Sequence, residues 1–435
     1  MPRRRQHAPL RVHLNQRLVG HLLKEPGGAI GFRYDDGWLG WKNAIPVSLS
    51  LPLREDAYRG APVSAVFENL LPDSESLRRR IAERVGAEGA DAYSLLAAIG
   101  RDCVGALQFS TDEVDDRGSA IEGEPVDDAA VEKLLRNLGQ APLGLSRDDD
   151  FRISVAGAQE KTALLWDGER WYKPLGTTPT THILKPRIGE LPNGIDLSNS
   201  VENEFYCLRL LAAFGLPVNA ATITTFAKTT ALVIERFDRR WTRDGRLLRL
   251  PQEDCCQALS VPPSKKYQSD GGPGLVQILD LLKGADAPDE DRRTVLKAQI
   301  LFWLIGATDG HAKNFSIFLG PGGTYRLTPL YDILSAQPSL DGRQIARKQM
   351  KLALAVGETN HYGIDGIQDR YFFETGRAAG ISKATVRAVI DEVAEAAEGA
   401  IKRVKDELPP RFPRSIHASI SEALATRLRM LTVRA

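Results

Sequence analysis

The stretch Thr308-Asp309-Gly310-His311-Ala312-Lys313-Asn314 decides how the rest of this chain is interpreted. It follows the very apolar segment 300–305, which is typical of a buried helix. Polar groups that emerge directly from a buried helix have to be paired or functional, because burying an unpaired polar group is costly. A further carboxylate, Asp332, lies downstream. Acid, amide and acid in this order predict a chemical site, with a plain turn at Asp309-Gly310 as the alternative.

The spacing of these three side chains suits phosphoryl transfer from ATP. Asp309 would accept the proton of the nucleophile, while Asn314 and Asp332 would hold Mg²⁺ on the ATP phosphates. Protein kinases use the same Asp-to-Asn spacing in their catalytic loop, although their His-Arg-Asp and Asp-Phe-Gly signatures are absent here. The hypothesis is therefore a divergent kinase-like site.

The chain offers the other parts of an ATP site in the order that a kinase needs. The segment 155–161 would cover the phosphates, and Lys185, at the end of a predicted strand, would bind them. Glu202 or Glu204 would orient that lysine, and 235–237 would form the hinge for adenine. Each part alone has an ordinary alternative: a β-turn, a surface lysine, a helix cap or the end of an edge strand. The common order of the parts favours the ATP site.

The residues that we assign to ATP binding all lie in one of these parts. They are Ala156, Gly157, Ala158, Gln159, Glu160, Lys161, Lys185, Glu235, Arg236, Phe237, His311, Ala312, Lys313, Asn314, Tyr331 and Asp332. His311 is either a phosphate contact or an ordinary structural histidine. Tyr331 packs either on the nucleotide or in the core.

Composition and charge limit the classes of protein that fit. The chain has 435 residues, enough for two or three domains, and its net charge is +1. This balance argues against a protein that grips nucleic acid by itself over a wide surface. The four cysteines include no Cys-x-x-Cys pair, so we expect reduced thiols in the cytoplasm and no zinc site. We see neither a signal peptide nor a transmembrane segment and predict no membrane partner.

Periodicity predicts an α+β chain in which strands precede helices. Alternating residues at 10–14 and 47–51 predict strands, and a helix is expected from about Ser200 to Phe214. Asn199 and Glu202 resemble a capping box at its start. We predict a two-lobed protein-kinase-like fold with a mixed α/β N-terminal part and an all-helical C-terminal lobe. Its domains would be 1–150, an α/β subdomain; 151–252, a β-rich part with the ATP loop; and 253–435, the helical lobe with the catalytic loop.

Several long stretches resemble the HipA family of bacterial serine/threonine kinase toxins. The matching stretches are 67–73, 153–165, 177–185, 235–241, 250–254, 269–274, 303–315 and 325–332. The resemblance extends over most of the chain and is weakest toward the C-terminal end. It implies that this chain is the toxin half of a toxin–antitoxin pair. It also implies that Ser154 is autophosphorylated, which ejects the loop and stops the kinase, because phosphoserine carries about two negative charges.

The resemblance further implies the partners. Similar kinases phosphorylate glutamyl-tRNA synthetase, which stalls translation and promotes persistence. The family's antitoxin is a helix-turn-helix dimer that binds operator DNA, so the toxin acts as a corepressor and meets DNA mainly through the antitoxin. Arg377 and Lys383 are candidate DNA contacts in the C-terminal helices. Two alternatives stay open: a catalytically weak ATP-binding corepressor module, and a kinase of a different protein or lipid target.

Overall fold

The computed structural model describes residues 7–111, 121–146, 150–157 and 159–432. They fall into two compact units. The first unit contains the residues up to Pro186 together with Thr224–Ser264 and Ile317–Tyr325. The second unit contains Arg187–Ile223, Lys265–Ser316 and the residues from Arg326 onward. The predicted division into three domains stays a prediction.

Strands are concentrated in the first two thirds of the chain, and long helices follow them. The strands are β1 Leu10–Leu14, β2 Arg17–Lys24, β3 Ile30–Tyr34, β4 Tyr58–Arg59, β5 Leu107–Ser110, β6 Gly123–Val126, β7 Thr162–Trp166, β8 Trp171–Pro174, β9 His182–Pro186, β10 Gly189–Glu190, β11 Asp196–Leu197, β12 Ala221–Phe226, β13 Thr229–Glu235, β14 Arg239–Trp241, β15 Leu247–Arg249, β16 Gln252–Asp254, β17 Ser316–Leu319, β18 Tyr325–Leu327, β19 Lys351–Val356 and β20 His361–Gly363. The helices are α1 Asp36–Leu39, α2 Ala61–Glu68, α3 Glu75–Val85, α4 Ala92–Ile99, α5 Asp128–Arg136, α6 Ser200–Ala213, α7 Cys255–Ala258, α8 Leu275–Leu281, α9 Pro288–Ile305, α10 Gln337–Asp341, α11 Asp369–Ala379, α12 Lys383–Glu407 and α13 Arg414–Thr432.

The first unit contains an antiparallel five-stranded sheet in the order β4-β3-β2-β1-β5. The strand predicted at 10–14 is confirmed as β1, and its alternation buries Leu10 and Val12. Helix α3 begins after Ser74, whose hydroxyl accepts a hydrogen bond from the Leu77 amide, and it ends at Gly86 with φ 68°. These local signals agree with the buried apolar cluster that joins the sheet to α2–α4.

A six-stranded sheet carries the strand lysine. Its order is β12-β13-β9-β7-β8-β6, so β9 lies in the interior of the sheet. Lys185 in β9 stands opposite Leu232 in the antiparallel partner β13. Leu184 points to the other face, where it joins the apolar cluster that includes Val131 of α5. An interior strand of a sheet thereby fixes the backbone position of Lys185.

The second unit is built around α9, whose residues from Val295 to Ile305 are buried without exception. The apolar residues pack against α12 and α13, and Trp303 donates its indole N–H to the carbonyl of Ile364 at 2.9 Å. Helix α6 is also buried along most of its length. These helices hold the chain that leaves α9 in a fixed position.

Two local predictions are wrong. The segment 47–51 is not a strand: Ser48 and Leu51 form a single bridge, and the Leu51 amide donates to the Ser48 carbonyl at 3.0 Å. A tight turn therefore brings together residues that alternation alone would extend. Asn199 has φ −100° and makes no side-chain cap, and Glu202 instead pairs with Arg187. The predicted capping box does not form, because the Glu202 carboxylate is bound by Arg187 and not by the backbone at the start of α6.

The prediction of a mixed α+β chain is confirmed, but the C-terminal part is not entirely helical. Strands β19 and β20 pair antiparallel within the second unit. The sequence of β19, Lys351–Val356, consists largely of Leu and Ala, which favour helices in isolation. Its residues after Lys351 are buried, so tertiary packing overrides propensity here.

Two further observations concern the remaining predictions. The four cysteines, Cys103, Cys207, Cys255 and Cys256, are buried and form no disulfides. Within the described ranges, the helices are either too short or too polar to cross a membrane.

Candidate active site

The end of helix α9 fixes where the segment 308–314 begins. It ends after Ile305 because Gly306 adopts a left-handed conformation with φ 71°, which closes the helix. Ala307 then forms a bridge with Ser335. Asp309 follows with an exposed side chain, although the residues around it from Ala312 onward are buried. A carboxylate is thus presented to solvent from a rigid support.

Gly310 lets the turn after Asp309 lie directly on α9. A Cβ atom at this position would be 2.6 Å from the ring of Phe302, well inside van der Waals contact. Phe302 is itself buried, so its ring has little room to move away. Glycine is therefore required here by close packing.

Replacing Gly310 by Ala should push the turn away from Phe302. We expect a loss of about 1–3 kcal/mol in the free energy of unfolding, as for other overpacked sites, together with reduced turnover. Urea denaturation and phosphate transfer from ATP would measure the two effects. Gly363→Ala is the matched control, because a Cβ there would meet nothing within 4 Å. Equal free energies of unfolding and equal turnover in the two variants would contradict the close packing of Gly310 on Phe302.

Asn314 draws the two predicted acids together. Its side-chain nitrogen donates to the carbonyl of Asp309 at 2.8 Å and lies 3.4 Å from the carbonyl of Asp332. The 3₁₀ turn Ala312–Asn314 sets this geometry. Both contacts use the amide nitrogen, so the amide oxygen is the atom that could face a cation. The three residues predicted from the sequence are therefore neighbours in the second unit, joined through the backbone of the two aspartates.

Asp332 has a backbone conformation that most residues avoid. Its φ is 59°, in the left-handed region, where Asn and Asp are tolerated better than other non-glycine residues. Such conformations cost free energy and are found preferentially at functional sites. Glycine would adopt this backbone conformation with less strain than aspartate. The presence of a carboxylate here is therefore consistent with a chemical role for Asp332.

Tyr267 is a residue of this site that the sequence did not reveal. Its hydroxyl donates to Oδ1 of Asp309 at 2.5 Å. Its ring meets the imidazole of His311 edge-on, with ring centroids 4.9 Å apart. Tyr267 lies outside helices and strands, just before the matched stretch 269–274, so neither periodicity nor resemblance pointed to it.

The other predicted residues of the second unit are largely buried. His311, Ala312, Lys313 and Asn314 are all buried. The hydroxyl of Tyr331 donates to the carbonyl of Lys313 at 2.7 Å and lies 2.6 Å from the Ser316 hydroxyl. At least the polar end of Tyr331 therefore belongs to the core. Contact of these residues with ATP stays a prediction.

In the first unit, Ser154 is folded into the protein. Its side chain is fully buried, and its hydroxyl donates to the carbonyl of Leu70 at 2.7 Å. The Ser154 amide donates to the carbonyl of Asp102 at 2.9 Å. Both partners come from parts of the chain well before the loop. The hydroxyl must leave this position before it can accept a phosphate.

The loop after Ser154 is held by its own side chains. Lys161 donates its ammonium to the carbonyl of Ala156 at 2.6 Å. Gly157 has φ 106°, and a Cβ there would be 2.5 Å from the Lys161 nitrogen. Gln159 donates to the carbonyl of Pro186 at 3.3 Å. The lysine can approach the backbone closely because residue 157 has no side chain.

The remaining predicted ATP residues lie in several places. Ala158 lies outside the described residues, and Glu160 is exposed. Lys185 is buried in β9 of the first unit. Glu235, at the end of β13, is exposed. The ring of Phe237 meets that of Phe318 edge-on, with centroids 5.6 Å apart.

The two candidate partners of Lys185 differ in their surroundings. Glu204 is buried in α6 of the second unit. Glu202, also in α6, is engaged by Arg187. An ion pair of Lys185 with Glu204 stays a prediction.

Arg236 has a role that the sequence did not predict. Its backbone N–H donates to the carbonyl of Thr181 at 2.8 Å. Its guanidinium group donates to both carboxylate oxygens of Asp238, at 3.0 and 2.8 Å. The side chain is thus consumed by structural contacts. A role for Arg236 in ATP binding stays a prediction that these contacts do not support.

Arg236 belongs to a buried ion-pair cluster in the first unit. The cluster consists of Asp102, Asp238, Arg236, Arg239 and Arg249, each at most 8% exposed. Oδ1 of Asp102 accepts from Arg239 at 2.8 Å and from Arg249 at 2.9 Å. Oδ2 accepts from the hydroxyl of Thr180 at 2.7 Å and from Arg236 at 3.2 Å. Asp102 is therefore the centre of the cluster.

The charges of this cluster perturb one another. Burial alone would raise the pKa of the Asp102 carboxyl, but the guanidinium groups, that of Arg239 foremost, hold it well below its usual range. Burial, followed by the nearby charge of Arg236, lowers the pKa of Arg239 to about 10. Three guanidinium groups face two carboxylates, so each carboxylate compensates more than one buried cation.

The oxygen atoms of Asn314 and Asp332 suit a magnesium ion. Within the described residues, no group of three or more His, Cys, Asp or Glu side chains is arranged to hold a metal ion. Mg²⁺ is ordinarily held by one or two carboxylates together with substrate phosphates and waters. The donor pair therefore fits this mode of binding, in which phosphate oxygens complete the coordination.

Comparison with known proteins places the chain in a family. The HipA N-terminal domain matches residues 10–110, and the HipA-like C-terminal domain matches residues 153–401. The Sinorhizobium fredii protein Y4mE is 35% identical over 406 residues, which cover 92% of each chain. The Shewanella oneidensis serine/threonine-protein kinase toxin HipA is 28% identical over 365 residues, covering 80% of this chain and 78% of that protein.

A solved structure gives the same result at the level of the fold. A chain in the Shewanella oneidensis MR-1 complex of HipA, HipB and operator DNA matches with a TM-score of 0.79. The match has 25% sequence identity and covers 97% of each chain.

The fold and these relatives define the class as a serine/threonine protein kinase, which implies the use of ATP. The chain belongs to the HipA family, and its Shewanella oneidensis relative is a serine/threonine-protein kinase toxin. The predicted resemblance and the predicted kinase-like fold are thereby confirmed.

Proposed function

We propose that this kinase transfers the γ-phosphoryl group of ATP to a serine of a protein target and that Asp309 accepts the serine proton. The observation that carries the proposal is the cluster in which Asn314 contacts the backbone of both Asp309 and Asp332. Phosphoryl transfer depends mostly on positioning and on neutralising charge. A rigid acid, amide and acid supply both requirements.

The roles of the individual residues follow from their chemistry. Asn314 and Asp332 would hold Mg²⁺ through their side-chain oxygens, and the positive charge that such an ion supplies would lie beside the ATP phosphates. Lys185 and the loop around Gly157 bind the phosphates, and the segment 235–237 receives adenine. Asp309, which is exposed, receives the proton as the serine oxygen attacks.

The role of the metal pair can be tested separately from the base. Asp332→Asn keeps a residue that tolerates the left-handed backbone, so the fold is expected to survive. The variant should require more Mg²⁺ for half-maximal transfer from ATP, because a charged ligand is lost. A magnesium titration of initial rates measures this shift. An unchanged magnesium requirement would remove Asp332 from the metal site.

We further propose that the kinase stops itself by phosphorylating Ser154. In the folded-in loop, Ser154 is fully buried and bonded to the Leu70 carbonyl. A phosphoserine carries about −1.5 to −2 charges at neutral pH, and such a charge cannot stay buried opposite a carbonyl oxygen. Phosphorylation therefore excludes the loop from this position and removes the phosphate-binding segment that follows it.

Incubation of the purified chain with ATP and Mg²⁺ should place a phosphate on Ser154, and kinase activity should fall as the phosphate appears. Ser154→Ala should keep its activity over the same period, since it loses one hydrogen bond and gains no charge. Peptide mass spectrometry and timed assays measure both effects. The Asp309→Asn variant should remain unmodified. Unmodified Ser154 in active wild-type protein after long incubation would contradict self-inactivation.

The cellular role that we propose is that of a toxin acting in the cytoplasm. Its target is glutamyl-tRNA synthetase, whose phosphorylation stalls translation and promotes persistence, and its partner is a HipB-like helix-turn-helix antitoxin. The likeness to a chain solved with HipB and operator DNA supports this partner. The kinase acts as corepressor and reaches operator DNA mainly through the antitoxin. Comparing the phosphoproteins of cells that express the wild type or Asp309→Asn would identify the target.

Two basic residues in the second unit remain candidates for DNA contact. Arg377 in α11 pairs with Glu358, and Lys383 begins α12 with its ammonium 5.9 Å from the ring of Phe373. Each has a local contact that binding to a phosphate group would have to replace or share. Their role in the corepressor complex rests on the family likeness.

A further inference from the structure

Tyr267 touches the carboxylate that we assign as proton acceptor. Its hydroxyl donates to Oδ1 of Asp309 at 2.5 Å. Asp309 is the exposed residue of the segment 308–314, which we call the catalytic turn. An exposed aspartate ordinarily samples several side-chain rotamers, and its last torsion angle is broadly distributed. The phenol restricts that freedom by holding Oδ1, which fixes the orientation of the whole carboxylate.

The position of Tyr267 is itself fixed by neighbouring contacts. Its ring meets His311 edge-on at 4.9 Å, and the Ala312 amide donates to the carbonyl of Lys266 at 3.3 Å. The next residue, Gln268, accepts from the Ala355 amide at 2.8 Å and so ties this segment to β19. The segment around Tyr267 is therefore bound to the catalytic turn on one side and to a strand on the other.

We infer that Tyr267 is a positioning residue for phosphoryl transfer: its hydroxyl holds Oδ1 of Asp309, so that Oδ2 receives the serine proton. This inference rests on the proposed function. In the reaction, the serine O–H bond breaks and its proton passes to Oδ2. The serine oxygen bonds to the γ-phosphorus, and the bond to the bridging oxygen breaks, leaving its electron pair on ADP. The phenolic O–H bond of Tyr267 stays intact throughout.

Removing the hydroxyl should act on the chemical step. The carboxylate would spend less of its time in the reactive orientation, and a small misplacement of a reacting group lowers rates strongly. The ring contact with His311 needs no hydroxyl, so phenylalanine preserves it. ATP binding is therefore expected to change little.

The test compares Tyr267→Phe with Tyr206→Phe in the full-length chain. Tyr206, in the same unit, contacts Nδ1 of His417 through its hydroxyl at 2.9 Å, and neither residue is assigned to the site. Labelling from radioactive ATP is followed on purified glutamyl-tRNA synthetase and on the chain itself. Tyr267→Phe should lower kcat about 10-fold with the KM for ATP within about twofold, whereas Tyr206→Phe should leave both unchanged.

A double-mutant cycle separates positioning from general structural damage. If Tyr267 acts through Asp309, adding Tyr267→Phe to Asp309→Asn should cause no further loss of turnover. Independent, multiplying losses would overturn the inference, as would an unchanged kcat in Tyr267→Phe. A raised KM for ATP with normal kcat would also overturn it, by making Tyr267 part of ATP binding. If the wild type labels neither protein, the proposed function fails and this inference falls with it.

Discussion

Asp309→Asn should lower phosphate transfer from ATP by about three orders of magnitude, near the middle of the range for loss of a general base. The amide has almost the same size as the carboxylate but cannot accept the serine proton. Its oxygen can still accept the hydrogen bond from Tyr267, so the turn should stay in place. Initial rates with radioactive ATP, measured together with the melting temperature, test this expectation.

Two controls make the result specific to proton transfer. Binding of a non-hydrolysable ATP analogue should be unchanged in Asp309→Asn, because the side chain is not assigned to the nucleotide. Asp280→Asn, on α8 of the same unit, removes an exposed carboxylate that pairs with the nearby Lys283, and it should keep full activity. An Asp309→Asn protein that remained fully active would assign the base to another residue.

Asp102→Ala should destabilise the first unit by about 3–5 kcal/mol, the usual cost of removing one partner from a buried ion pair. Three guanidinium groups contact the Asp102 carboxylate, and each is nearly inaccessible to solvent. Without Asp102, only Asp238 remains in the cluster to compensate three buried positive charges. Urea denaturation would measure the change as a lower transition midpoint.

The matched control for Asp102 is Asp244→Ala. Asp244 also pairs with an arginine, Arg246, but both side chains are more than half exposed. An exposed ion pair contributes little because water and salt screen it. We therefore expect an unchanged transition midpoint. If both variants behaved like the wild type, burial of the cluster would not matter for stability.

The sequence predicted the parts of the fold that depend on local patterns. The alternation of β1 reflects which side chains are buried, and the apolar run at the end of α9 reflects burial on all sides. The capping box at Asn199 failed because Arg187 engages Glu202 from outside the helix. Strand β19 was missed because its residues favour helices and only packing makes them a strand.

The predicted site shows the same limit. The cluster of Asp309, Asn314 and Asp332 could be predicted because its order and spacing are characteristic of one chemistry. Tyr267 could not be predicted, because no spacing rule links it to a residue 42 positions later. Arg236 was assigned to a hinge, whereas two of its partners, Asp102 and Thr180, are distant in sequence and meet it only in the folded chain.

The contacts of Asp102 also bear on where this gene could be divided. Asp102 lies within the N-terminal family domain, residues 10–110, whereas the three arginines that it compensates lie within the C-terminal family domain, residues 153–401. Its backbone carbonyl also receives the amide of Ser154. Two polypeptides separated at the seam between these domains would each inherit uncompensated charge, and the loop serine would lose its anchor. The boundary between the two family domains is thus crossed by buried ion pairs in the folded protein.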